Sequence, residues 1–288
     1  MVIALNKAAL ILALFLLTQL LGLYVGINLI QAVQANPELQ DFNVAPGGES
    51  GSPASSAIFL IYVLAGAVAM VLILKFYKGV LLFKLIEAGT LFVASNIIFY
   101  VLFLSFSVPL DWLWSIILSG TVTLLKFFRP EAKNLAAVLS AAGVGAVFGF
   151  SLDILPAVLF VAGLSLYDFL SVFWTGHMVY MAKELGKRNL AFSVVATTTE
   201  YSGRRRKPER TTLELGTGDL AIPLMLAVSS YKISFNVIDP LFAILGSSLG
   251  LLAVLWYVTH RRTFLPALPP ISFAALLFLA LAKLFITR

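Results

Sequence analysis

Cysteine is absent from this 288-residue chain, and histidine occurs only twice. Without thiols there is no disulfide, no thiol nucleophile and no thiolate metal site, and two histidines are too few for a usual zinc or haem site. No cofactor is expected. Charge is scarce as well. Only 12% of residues are charged and 60% are hydrophobic, whereas soluble domains run at about 25% and about 45–50%. That balance excludes a soluble fold. The net charge of +6 would suit nucleic acid in a soluble chain, but in a membrane chain Lys and Arg report topology, so no nucleic-acid partner is expected. The expected fold class is an all-α polytopic membrane protein with the lipid bilayer as its solvent.

What is present is a series of long apolar runs. A spanning helix needs about 20 apolar residues, and on that criterion the chain reads as nine transmembrane helices. They cover about 7–34, 54–76, 80–106, 110–128, 133–152, 155–183, 213–231, 237–258 and 268–286. The first run is too long for the h-region of a signal peptide. Residues 36–53 form a polar loop rich in Pro, Gly and Ser. The chain divides into spans 1–6 over residues 1–183, a basic loop over 184–212, and spans 7–9 over 213–288.

Seventeen of the twenty basic residues fall on one side if the N-terminus is cytoplasmic. Lys232, Lys283 and Arg288 are the three outside this pattern. The positive-inside rule therefore places the N-terminus and the 184–212 loop in the cytoplasm and the C-terminus outside. Trp112 and Trp114 suit an outer aromatic belt, Trp174 and Tyr180 an inner one. Within the loop, Ser193 to Thr199 is rich in β-branched residues and suits a strand. Tyr201 to Arg210 is charged and poor in apolar residues, so it reads as mobile.

Two carboxylates stand out because they lie inside apolar runs. Asp at a helix centre costs roughly 2.5–3.5 kcal/mol to insert. Asp168 follows Tyr167 in span 6, and Asp219 follows Leu215-Gly216-Thr217-Gly218 at the start of span 7. At 1.5 Å per residue Asp168 lies about 20 Å from the outer end of its span. Asp219 lies a similar way toward the inner side, so antiparallel spans would bring the two level. Gly216 and Gly218 permit positive φ or a close approach. Two carboxylates sharing a site titrate together, because close like charges cannot both ionise cheaply. The ionised one takes a proton from water while the protonated one polarises a carbonyl. Alternatively, each Asp is satisfied separately by hydroxyls, amines or backbone groups.

Other residues read more plainly. Glu87 lies three residues after Lys84, a spacing for an interfacial ion pair on one helix face. Asp153 reads as a loop residue and His177 as a packed or headgroup-level histidine. Gly145 and Gly149 read as a close helix contact. Pro266-Ala267-Leu268-Pro269-Pro270 reads first as a helix start, with carbonyls exposed for an extended peptide.

Taken together, Tyr167-Asp168 in the sixth span, Gly216-Thr217-Gly218-Asp219 in the seventh and Pro266-Ala267-Leu268-Pro269 before the ninth resemble the presenilin family of intramembrane aspartic proteases, which also includes signal peptide peptidases. The basic 184–212 loop and the proline after Pro266-Ala267-Leu268 are similar to the presenilin side of that group. Thr217 departs from it, since eukaryotic members usually have leucine there. The short loops resemble a compact archaeal-like member. The resemblance implies that Asp168 and Asp219 are the catalytic pair. It also implies that Tyr167, Leu215, Gly216, Thr217, Gly218, Pro266, Ala267 and Leu268 line the substrate site, with Leu213 to Leu215 pairing with an unwound substrate. The expected partners are transmembrane-protein substrates. Nothing in the sequence calls for a partner subunit, and a homo-oligomer is compatible with it. A proton-coupled transporter or ion channel would use the same carboxylates as a relay, although inverted repeats and clearly broken helix pairs are lacking.

Overall fold

The computed structural model describes residues 2–35, 42–45, 51–77, 79–175, 193–202, 207–261 and 265–286. His177, Tyr180, the inner end of the sixth expected span and the start of the 184–212 loop lie outside these residues. The described chain is all-α apart from one hairpin. Its helices are α1 (Val2–Ala35), α2 (Pro53–Phe76), α3 (Leu81–Ser105), α4 (Asp111–Phe128), α5 (Lys133–Ser151), α6 (Ile154–Leu170), α7 (Thr217–Ser234), α8 (Ile238–Arg261) and α9 (Leu268–Ile286). Six of these, α1, α2, α3, α5, α6 with its C-terminal extension and α8, contain stretches long and apolar enough to cross a membrane on their own.

Helix α7 is the axis of the bundle. It is buried without a break from Leu220 to Tyr231 and packs against α1, α5, α6, α8 and α9. Small residues let its neighbours come close. A Cβ at Gly145 would lie 2.7 Å from Leu224 Cδ2, and one at Gly149 would lie 2.5 Å from Val228 Cβ. The same two side chains of α7 meet Gly22 and Gly26 of α1 from the other side. Leu224 and Val228 thus act as knobs seated between two glycine-faced helices, the small-residue packing that membrane bundles use in place of a hydrophobic drive. Ser229 Oγ adds hydrogen bonds to the carbonyls of Gly149 (3.1 Å) and Leu152 (2.9 Å).

Three ion pairs join helices of the bundle among the described residues. Glu87 and Lys126 form a buried ion pair between α3 and α4. This corrects the spacing-based expectation of a Lys84 partner: α3 turns Glu87 inward and leaves Lys84 exposed. Asp153 precedes α6 as its N-cap and binds Lys232 at 2.8 Å. Lys283 faces buried Asp239 at 3.9 Å. Two of the three basic residues outside the topological charge pattern therefore sit beside carboxylates.

The hairpin joins β1 (Ser193–Ser202) to β2 (Lys207–Gly216), antiparallel, with Val194 opposite Leu215 and Val195 opposite Glu214. The strand expected at Ser193–Thr199 is present and longer. The segment read as mobile contributes Lys207 to Arg210 to β2. The seventh span was expected to begin near residue 213, but Leu213 to Gly216 are strand and the helix begins at Thr217. Leu213 and Leu215 alternate with Thr212 and Glu214, a period of two, and the sheet side buries Val194, Ala196 and Leu215.

Candidate active site

The three sequence motifs converge where β2 passes into α7. Asp168 lies in the last turn of α6, 4% exposed. Its Oδ2 accepts a hydrogen bond from the backbone N–H of Leu268 at 3.4 Å. Its own carbonyl accepts from Ser171 Oγ at 2.9 Å, where the α-helix gives way to a π-helical turn over Ser171–Thr175. The Ser171 backbone N–H in that turn also donates to the carbonyls of Tyr167 and Asp168.

Asp219 is the third residue of α7. Gly216 is the N-cap, in extended conformation at φ −64° and ψ 147°, and its backbone N–H donates to the Asp219 carboxylate. An acidic side chain reaching back to the cap N–H is half of a capping box; the other half is missing because glycine has no side-chain oxygen. Neither Gly216 nor Gly218 has positive φ, so the conformational freedom expected of them is not used. What counts is the absent side chain. A Cβ at Gly216 would sit 3.3 Å from Asp219 Oδ2, and the side of Gly218 is open. Asp168 lies near enough to Asp219 to act on it electrostatically.

The other predicted residues gather round this pair. Leu215 and Ala267 belong to one apolar cluster with Leu220, Val194, Ala196 and Ile271, which joins the hairpin, α7 and α9. Pro266 and Leu268 are buried, and Tyr167, Thr217 and Ala267 are partly so. Tyr167 adjoins Asp168 along α6 and is half-buried beside it. Four buried polar atoms on α1, α6 and α9, namely Gln19 Oε1, Ser165 Oγ, Asp168 Oδ1 and Ser272 Oγ, have no hydrogen-bond partner among the described residues. No group of His, Asp or Glu among the described residues is arranged to hold a metal ion.

Two side chains that sequence reading passed over also act here. Asn134 of α5 makes a reciprocal pair with the Val195 backbone, donating to its carbonyl and accepting from its N–H, both at 2.9 Å. Gln19 of α1 donates to the Leu220 carbonyl at 2.8 Å. For Asn134 no local sequence signal exists. For Gln19 the signal was an amide in the middle of an apolar run.

The family described as signal-peptide peptidase, presenilin aspartyl protease matches residues 12–286. Among solved structures, a presenilin family intramembrane aspartate protease in a C222 crystal form is similar at 26% identity and TM-score 0.68, covering 95% of this chain and 98% of that one. The P2 form gives 27%, 0.66, 95% and 97%. No curated protein matches the chain. With nearly the whole length matched by one family, and a fold shared with its solved members, the chain belongs to the signal-peptide peptidase and presenilin aspartyl protease family and is an intramembrane protease of that type.

Proposed function

We propose that this protein hydrolyses peptide bonds within transmembrane segments of other membrane proteins, with Asp168 and Asp219 acting together on a water molecule. The observation that carries this reading is the meeting of two carboxylates from neighbouring spans inside the bundle, each held by a backbone N–H, Leu268 for Asp168 and Gly216 for Asp219. One proton is held between the two groups. The ionised carboxylate removes a proton from water as its oxygen attacks the scissile carbonyl, and the protonated carboxyl gives its proton to the carbonyl oxygen. The tetrahedral diol then collapses. Its C–N bond breaks as one carboxyl protonates the leaving nitrogen and the other carboxylate takes the proton of a diol hydroxyl, so an acid and an amine leave and the dyad again holds a single proton. No group outside the chain and water is needed to balance the step.

A transmembrane helix hides its peptide bonds in its own ladder and has to unwind before water attacks. Freed backbone groups need partners at membrane depth. Val195 of β1 spends its N–H and C=O on Asn134, so it forms a non-hydrogen-bonded pair with Glu214. The N–H and C=O of Glu214 then face the opposite, open edge of β2. Leu213 to Leu215 are the residues we assign to strand pairing with substrate. Tyr167, Gly216, Thr217, Gly218, Pro266, Ala267 and Leu268 would line the channel beside the dyad. The cytoplasmic N-terminus and 184–212 loop, with an external C-terminus, are part of the same proposal and rest on the Lys and Arg distribution.

The test is to incubate purified protein in liposomes with a single-span substrate and to read fragment masses. Cleavage inside the apolar segment is the expected result. Proton or ion flux in sealed vesicles without any peptide product would replace this reading with a transport one.

A further inference from the structure

Helix α1 supplies none of the motif residues, yet it places a polar group against the candidate catalytic turn. Gln19 has no exposed surface. Its Nε2 donates at 2.8 Å to the carbonyl of Leu220, the residue after Asp219, and its Oε1 meets no donor among the described residues. An amide that leaves an acceptor unsatisfied in an apolar interior is costly, so its bond to α7 calls for an explanation.

The start of α7 supplies one. Its cap is Gly216, which offers no side-chain oxygen to the first-turn N–H groups. Gly218 adds no side chain for packing. Pro223 lies inside the helix and has no N–H to give the carbonyl four residues back, that of Asp219. The turn carrying Asp219 is therefore short of local hydrogen bonds on both sides. Gln19 ties the next carbonyl to a helix that is itself locked against α7 by the Gly22 and Gly26 contacts.

We propose that Gln19 is a positioning residue for Asp219: through Leu220 it fixes the first turn of α7, and with it the direction of the Asp219 carboxylate toward Asp168. It touches neither substrate nor the reacting atoms. The inference rests on the protease reading, because positioning matters only if Asp219 does chemistry.

The deciding variant is Gln19→Met, which keeps length and volume and removes both polar atoms. Compared with the parent protein on a single-span substrate, it should lose roughly tenfold to a hundredfold in kcat with little change in KM, the size expected when a reacting group is misaimed. Affinity for a hydroxyl-bearing peptide that imitates the tetrahedral intermediate should fall with kcat/KM. The melting temperature should hold or rise, since an unsatisfied oxygen is removed. If Gln19→Met does not accumulate, Gln19→Asn keeps the amide but falls one methylene short of Leu220, and it should show the same kcat loss. A kcat within about twofold of the parent in a folded variant, or activity lost only in step with melting temperature, would overturn the inference. An inactive parent would instead remove the protease reading, so the two failures are distinguishable.

Discussion

The backbone N–H of Leu268 points at the carboxylate of Asp168 from 3.4 Å away, so the proline-flanked entrance of α9 is directly bonded to α6 at the candidate site. The entry to α9 is thereby a structural part of the dyad as well as a helix start. Pro269 and Pro270 follow at once, and proline suits a first turn, so the N–H of Leu268 is left free of intrahelical duty. Leu268→Pro deletes that donor at a position that tolerates proline, and Leu268→Ala keeps the donor while trimming the same side chain. Cleavage by Leu268→Pro should be about tenfold below that of Leu268→Ala, the worth of one modest hydrogen bond to a charged group. Equal rates would show that the bond does not orient Asp168.

Asn134 holds the hairpin to α5 through two hydrogen bonds to Val195. Asn134→Leu should leave the helical bundle in place and release β1. At about 1 kcal/mol per bond, exchange of the Val195 amide in deuterated buffer should quicken by roughly tenfold or more. Protection at parent level would mean that the apolar face of Val194 and Ala196 holds the hairpin unaided.

Gly143 and Gly89 make a matched pair. A Cβ at Gly143 would meet the Ala94 carbonyl oxygen at 2.3 Å, backbone that cannot swing aside, while one at Gly89 meets nothing within 4 Å. Gly143→Ala should lower stability by about 1–3 kcal/mol, as overpacking does. Gly89→Ala should be neutral or stabilising by up to about 1 kcal/mol. Thermal melts of the two variants in one detergent compare them directly.

Glu87 and Lys126 are buried partners, and breaking such a pair costs more than replacing it. Lys126→Met alone takes the ammonium group from a buried carboxylate and should cost about 3–5 kcal/mol. Adding Glu87→Gln should recover much of that loss. A double variant no more stable than Lys126→Met would contradict the pairing.

Helix number and order were legible because the apolar runs are long, and seven of the nine helix starts fall within one residue of the sequence-based ranges. The exceptions are α1, which begins at Val2 and not near residue 7, and α7, which begins at Thr217 and not near residue 213. Leu213 and Leu215 count as apolar in a hydropathy reading, yet their alternation with Thr212 and Glu214 suits a strand edge, and strand and helix are poorly separated over so few residues. The two aspartates drew notice by their insertion cost, the Pro266-Ala267-Leu268 segment only by the family resemblance, and in the structure Leu268 lies against Asp168. The partners of other polar residues were not legible. Lys84 is the near neighbour of Glu87 by sequence spacing, but Lys126 reaches it from another helix. Gln19 acts on a residue 201 positions away and Asn134 on one 61 positions away, and no local pattern encodes such contacts.

Cleavage of a single-span substrate by the parent protein, beside Asp168→Asn and Asp219→Asn, tests the central claim most directly. Each variant keeps the shape and hydrogen-bonding reach of the side chain and removes only its ability to exchange a proton. The account predicts fragments from the parent, none from either variant, and parent-like melting temperatures for all three. Fragments from either folded variant would contradict it.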